Sequence, residues 1–139
     1  LEVTESMLLE DIENKIEIMN RLKDLGLKLS IDDFGTGYSS FSYLKKLPLD
    51  ELKIDRSFFF DLFEDKKSRA LFTSLVNLSR DLELFTVAEG VETEEQLRFL
   101  QDVGCNQYQG FLFSPPVPAE KIFEMLSAQE KKISTLQID

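Results

Sequence analysis

The sequence predicts an α/β fold, a (β/α)8 TIM-type barrel, of which its 139 residues supply about five consecutive βα units. Three observations lead there. Short β-rich stretches alternate with helical periods, and no long linker or low-complexity segment interrupts them. Charged or amide side chains gather near the same end of successive strands, where barrel enzymes keep their chemistry, and this favours a barrel over an open doubly wound sheet. The length falls short of the roughly 250 residues of a whole barrel. The missing strands are expected before Leu1, a first residue that already opens a strand-like stretch.

The first strand is expected over Leu1 to Thr4. A helix follows in which Leu8, Ile12, Ile16, Met19 and Leu22 recur at spacings of three and four, and Gly26 stops it. Strand two is expected from Leu27 to Ile31, with Leu27, Leu29 and Ile31 alternating against Lys28 and Ser30. Asp32 to Gly37 reads as a loop, Ser39 to Leu47 as a short helix closed by Pro48, and Glu51 to Ile54 as strand three. A longer helix from about Lys66 to Leu82 places Leu71, Leu75, Leu78 and Leu82 on one face. Strand four spans Phe85 to Ala88, Thr93 and Gln96 form a capping box for a helix that ends at Gly104, and strand five runs from about Gln107 to Phe113. Pro118 opens a last helix through Ile122, Met125 and Leu126. The division is a domain over 1–129 and a polar tail over 130–139 that is expected to fray.

Composition narrows the chemistry. There is no histidine and one cysteine, Cys105, which removes His-based zinc sites, histidine general bases, Ser-His-Asp triads and internal disulfides. Sixteen basic against 26 acidic residues leave a net charge of −10, which does not attract a DNA or RNA polymer. A polyanionic substrate would need metal ions as intermediaries. No signal peptide or membrane-spanning run stands out, and a cytoplasmic protein or the cytoplasmic part of a larger, membrane-attached one is expected.

Asp32 and Asp33 sit side by side at a strand end. Placing them with Glu2 and Glu89 is costly unless a cation cancels the charge, and hard oxygen donors select Mg²⁺ or Mn²⁺. An isolated pair also reads as a solvated turn whose Asp caps the next helix. Lys53, between Leu52 and Ile54, points to the face opposite its neighbours, either to solvent or into a barrel interior that must supply anionic partners. Asp55 ends strand three. Glu89 and Glu92 bracket Gly90 and suit metal ligation or water orientation, while Glu92 equally suits the start of a helix. Gln109 suits a metal, a base edge or a structural hydrogen bond; Phe34, Tyr38 and Phe111 suit base stacking or core packing.

Taken together, Leu1-Glu-Val-Thr-Glu-Ser6, Ile31-Asp-Asp-Phe-Gly-Thr-Gly-Tyr-Ser-Ser40, Glu51-Leu-Lys-Ile-Asp-Arg56, Val87-Ala-Glu-Gly-Val-Glu-Thr93 and Tyr108-Gln-Gly-Phe-Leu-Phe-Ser114 resemble the EAL-domain cyclic di-GMP phosphodiesterases in order and spacing. The resemblance reaches to the last helix. It implies a barrel that uses two Mg²⁺ or Mn²⁺ ions to open cyclic di-GMP to linear pGpG. By resemblance Glu2, Asp32, Asp33 and Gln109 are metal ligands, with Asp32 between the ions. Lys53 holds and activates the attacking water and Glu89 assists it. Glu5 resembles the glutamate that anchors the loop from Asp32 to Ser40, a loop that in the family couples dimerisation to metal binding, and Glu92 resembles a support for the loop near the second metal. The Glu-Ala-Leu signature, an Arg that binds substrate and an Asn ligand would lie before Leu1; the segment from Ser114 to Pro118 lacks the family's usual Lys.

The expectations are therefore a phosphodiesterase whose 139-residue piece is inactive alone, or, alternatively, a nonhydrolytic cyclic di-GMP receptor. An unclosed barrel exposes strand edges, so a homodimer or larger self-association is expected, in a parent that carries sensory or cyclase domains.

Overall fold

The computed structural model describes residues 1–8, 11–35 and 44–136. Five parallel strands form one sheet in the order in which they occur: β1 (Glu2–Thr4), β2 (Ser30–Phe34), β3 (Glu51–Ile54), β4 (Phe85–Glu89) and β5 (Gln107–Gln109). A doubly wound sheet reverses its order at a switch point; an uninterrupted sequence of neighbours is the arc of a barrel. The helices are α1 (Ile12–Asp24), α2 (Lys66–Asp81), α3 (Glu94–Val103) and α4 (Ala119–Leu136), with 3-10 turns at Glu5–Leu8 and Arg56–Phe59. No helix among the described residues is long and apolar enough to cross a membrane.

The core lies between the sheet and the helices. Leu29, Ile31, Leu52, Ile54 and Ala88 meet Met19 of α1, Phe72, Leu75 and Val76 of α2, and Leu100 of α3. Phe72 is the hub, its ring 5.6 Å from Phe59, 5.5 Å from Phe99 and 6.2 Å from Phe58. Helix ends are well specified. Asp65 accepts from Lys67 N and Ser68 N at the start of α2, Thr93 and Gln96 form the expected capping box on α3, and Gly104 ends α3 in the left-handed region.

Several boundaries and one helix face differ from those read in the sequence. Strand β2 starts at Ser30, not Leu27, and runs through both aspartates. The ladders pull it there: Thr4 pairs with Asp32 on one side and Phe34 with Ile54 on the other. Strand β5 stops at Gln109, because Phe113 N and Ser114 N turn back to Gly110 O at 3.1 and 3.2 Å. The buried face of α2 is Phe72, Leu75, Val76 and Ser79, while Leu71 is exposed. Helix α4 continues through the polar stretch after Glu130 to Leu136. Most of the short helix expected from Ser39 to Leu47, together with Tyr38, lies outside the described residues.

Candidate active site

The site forms at the carboxyl ends of the strands, and a bulge in β2 makes it possible. Between Ile31 and Phe34 the strand takes three steps while β3 takes two from Leu52 to Ile54, so one extra residue is inserted. Asp33 absorbs it in the left-handed region, at φ 55°. In a regular strand neighbouring side chains point to opposite faces. With the bulge, Asp32, Asp33 and Glu89 each bring a carboxylate oxygen into one group whose members lie within 4.8 Å of one another.

Lys53 stands beside this group, 8% exposed. Its Nζ lies 2.8 Å from Glu89 Oε1, 3.0 Å from Asp32 Oδ1 and 3.1 Å from Glu2 Oε1. Burial alone would push the ammonium's pKa down, but the carboxylates of Glu89, Asp32 and Glu2 outweigh it and hold the value above that of an ordinary lysine. Gln109 pairs with Glu89 across the β4–β5 ladder and donates from Nε2 to Glu89 Oε1 at 2.7 Å. Glu2, Asp32, Asp33, Lys53, Glu89 and Gln109 thus come together from all five strands.

The donor set fits a hard divalent cation. Three carboxylates converge, no histidine exists in the chain to compete, and Asp32 Oδ1 is shut off from solvent with the Lys53 ammonium at 3.0 Å beside it. Glu2 reaches the group only through Lys53, and its side chain is 59% exposed.

The remaining candidates lie around this centre. Glu5 is buried, and its Oε2 accepts from Gly35 N at 2.8 Å. Glu92 is exposed, its backbone N donates to Gln96 Oε1 at 2.7 Å, and it lines a cleft of about 550 Å³ with Arg56, Gln109, Phe111 and Phe113. Phe111 is exposed there, whereas Phe34 is in the core. Asp55 sits outside the carboxylate group and caps the turn that follows β3, accepting from Ser57 N at 2.9 Å. Arg56, which sequence reasoning passed over, enters the cleft beside Gly90, where a side chain would strike Arg56 Cβ at 2.4 Å. Its signal was the glycine that follows Glu89.

The profile of the EAL domain family matches residues 1–116. The chain is similar to the cyclic di-GMP phosphodiesterase NbdA of Pseudomonas aeruginosa, 48% identical over 128 residues that make up 92% of this chain and 16% of that protein. It is 52% identical over 122 residues to the bifunctional diguanylate cyclase/cyclic di-GMP phosphodiesterase MucR of the same organism, covering 88% of this chain and 18% of MucR. A MucR phosphodiesterase structure in complex with c-di-GMP superposes with a TM-score of 0.82 at 52% identity, over 88% of this chain and 49% of that one. A manganese/cy-diGMP complex of Klebsiella pneumoniae BlrP1 superposes with a TM-score of 0.77 at 40% identity, over 83% of this chain and 29% of that one. The chain therefore spans less than a fifth of these curated relatives and about half of the solved MucR chain.

Proposed function

From the premise that the chain belongs to the EAL domain family, we propose that it is part of a metal-dependent phosphodiesterase domain that hydrolyses cyclic di-GMP to linear pGpG. The observation that supports this reading most is the ring around Lys53, in which one buried ammonium faces three carboxylates beside the Asp32–Asp33–Glu89 group. Glu2, Asp32, Asp33 and Gln109 would hold Mg²⁺ or Mn²⁺, two ions in the complete domain, supplying Lewis-acid polarisation of a phosphodiester and a more acidic water.

The chain's own residues do the rest. Lys53 is held beside Glu89, Asp32 and Glu2, and as an ammonium its part is to hold a water and to favour hydroxide over water by its charge. Glu89 fixes Lys53 and Gln109 with one oxygen, so the ammonium and the amide keep a constant separation. Glu5 ties the backbone after Asp33 through Gly35 N, and Glu92 supports the loop after β4. On a chain with a net charge of −10, a dianionic ring approaches only where cations mask the carboxylates. The reading carries a cytoplasmic setting and a homodimeric or self-associated state with it.

The test is turnover of cyclic di-GMP by the protein at its full natural length. Manganese-dependent release of pGpG is expected, reduced at least about a hundredfold in Lys53→Met. The 139-residue chain alone is expected to show none, since it holds five of the strands of a barrel. Tight binding of cyclic di-GMP without turnover at full length would overturn the hydrolytic reading in favour of a receptor.

A further inference from the structure

We infer that Phe58 is a positioning residue for the Asp32–Asp33 pair, acting through Gly35: its ring is the wall against which the left-handed turn after β2 is set. The consequence for the site rests on the phosphodiesterase reading, while the geometry rests on packing alone. Asp33 at φ 55° and Gly35 at φ 97° flank Phe34, which is buried at 4% exposure. An Asp tolerates the left-handed region without preferring it, so the turn needs something to hold it. On one side Glu5, 2% exposed, accepts from Gly35 N. On the other, a Cβ at Gly35 would fall 2.2 Å from Phe58 Cε2 and 2.4 Å from Cζ, so only a bare Cα fits against the ring.

The ring, half-buried, is backed on its inner side. Phe58 meets Phe72 edge-on at 6.2 Å, and Phe72, fully buried, is braced by Phe59 and Phe99. Phe58 is also tied to the strand that carries Lys53: its N donates to Asp55 O at 3.2 Å, and the Asp55 side chain caps the same turn. Gly35 is therefore clamped between a carboxylate from the end of β1 and a ring from the end of β3. That clamp sets the β2 carboxylates in register with the β3 ammonium. A hydrocarbon ring has no other means of reaching the site, which places Phe58 among the outer groups that orient ligands.

Phe58→Ala, Phe58→Leu and Phe63→Ala separate this from general core loss, because Phe63 joins the same aromatic cluster through Phe99, at 6.2 Å. Two quantities are read: hydrogen exchange of the Gly35 amide in the metal-free chain, and Mn²⁺ affinity by calorimetry. Phe58→Ala is expected to speed Gly35 exchange at least about tenfold and to weaken Mn²⁺ binding about ten- to a hundredfold, with most of both restored in Phe58→Leu. Phe63→Ala is expected to lower thermal stability and leave both unchanged. Gly35→Ala is expected to bind Mn²⁺ better when combined with Phe58→Ala than alone, the non-additivity of a shared contact. Should Phe58→Ala fail to fold, Phe58→Val, whose side chain stops short of Gly35, takes its place with the same expected losses. Unchanged exchange and affinity in Phe58→Ala, or in Phe58→Val in its place, or equal losses in Phe63→Ala, would overturn the inference. Failure of the unaltered protein at its full natural length to bind Mn²⁺ would instead sink the phosphodiesterase reading, and Gly35 exchange would still decide whether the clamp exists.

Discussion

Asp50, half-buried, and Lys53, buried, show how differently two charges can behave three residues apart. The pKa of Asp50 would rise through burial, but its pairing with Lys23 and the hydrogen bond from Leu29 N at 2.8 Å hold it below the usual carboxylate value of 3.8. A carboxylate depressed in the folded state contributes stability above its unfolded pKa, and that contribution is lost as pH falls through the folded value. Asp50→Asn should therefore cost about 1 kcal/mol near neutrality and progressively less below pH 4, as read by urea unfolding at both pH values. Lys53 runs the other way: its value is raised, so its contribution is complete below 10.5 and fades only above it. Lys53 was legible as a candidate because Leu52 and Ile54 bracket it, but the sequence left its face undecided. Only the burial of all three residues, with Glu2, Asp32 and Glu89 around the ammonium, decides for the interior. Asp55 follows the same strand with a carboxylate like those of Asp32 and Asp33, yet it caps a 3-10 turn, a distinction that spacing alone does not make.

Elements were readable where a capping or stop residue has a local cause and less so where a neighbouring strand decides. Thr93, Gln96 and Gly104 specify α3 without help from elsewhere, and Thr93→Ala should cost about 1 kcal/mol in thermal or urea unfolding. The end of β2 depends on ladders to β1 and β3 that no local pattern reveals, so two aspartates that read as a loop belong to a bulged strand. The face of α2 was misread for a related reason: a leucine every three or four residues competes with Phe72, and the bulkier ring fills the core. Strand β5 was overextended because the aromatic run hides the demand placed on Gly110. A Cβ there would lie 2.1 Å from Val91 O and 2.3 Å from Val91 N, backbone atoms that cannot swing aside. Val91 N also donates to Gln109 O at 3.1 Å, and Leu112 N to Val91 O at 3.0 Å, which locks the exits of β4 and β5 together. Gly110→Ala should destabilise the chain by about 2–3 kcal/mol and loosen the Glu89–Gln109 hydrogen bond, measured by unfolding and by exchange of the Gln109 side-chain amide.

At the scale of the whole chain the balance of covered and uncovered surface is uneven. Helices α1, α2 and α3 cover the outer face of the sheet, but β5 is exposed at all three residues and α4 buries no side chain among those described. Phe111, Phe113, Phe123 and Leu126 are 68%, 64%, 75% and 56% exposed near that end, and Leu1 is 63% exposed beside β1 at the other. Among the described residues β1 and β5 each have a strand neighbour on one side only, and apolar side chains clustered beside such an edge mark a surface that seeks cover. In relatives about twice as long as this chain, the additional residues have the opportunity to supply that cover. Alone, the 139-residue chain should associate with itself as concentration rises, seen by sedimentation velocity as a shift to dimers and larger species. Salt separates the cause. A net charge of −10 opposes association by repulsion that extends about 10 Å at 0.1 M salt and about 3 Å at 1 M. If apolar edges drive the contact, raising salt should strengthen it. If complementary charges drive it, salt should dissolve it, and a single monomeric boundary at every concentration and salt would show that the edges protect themselves.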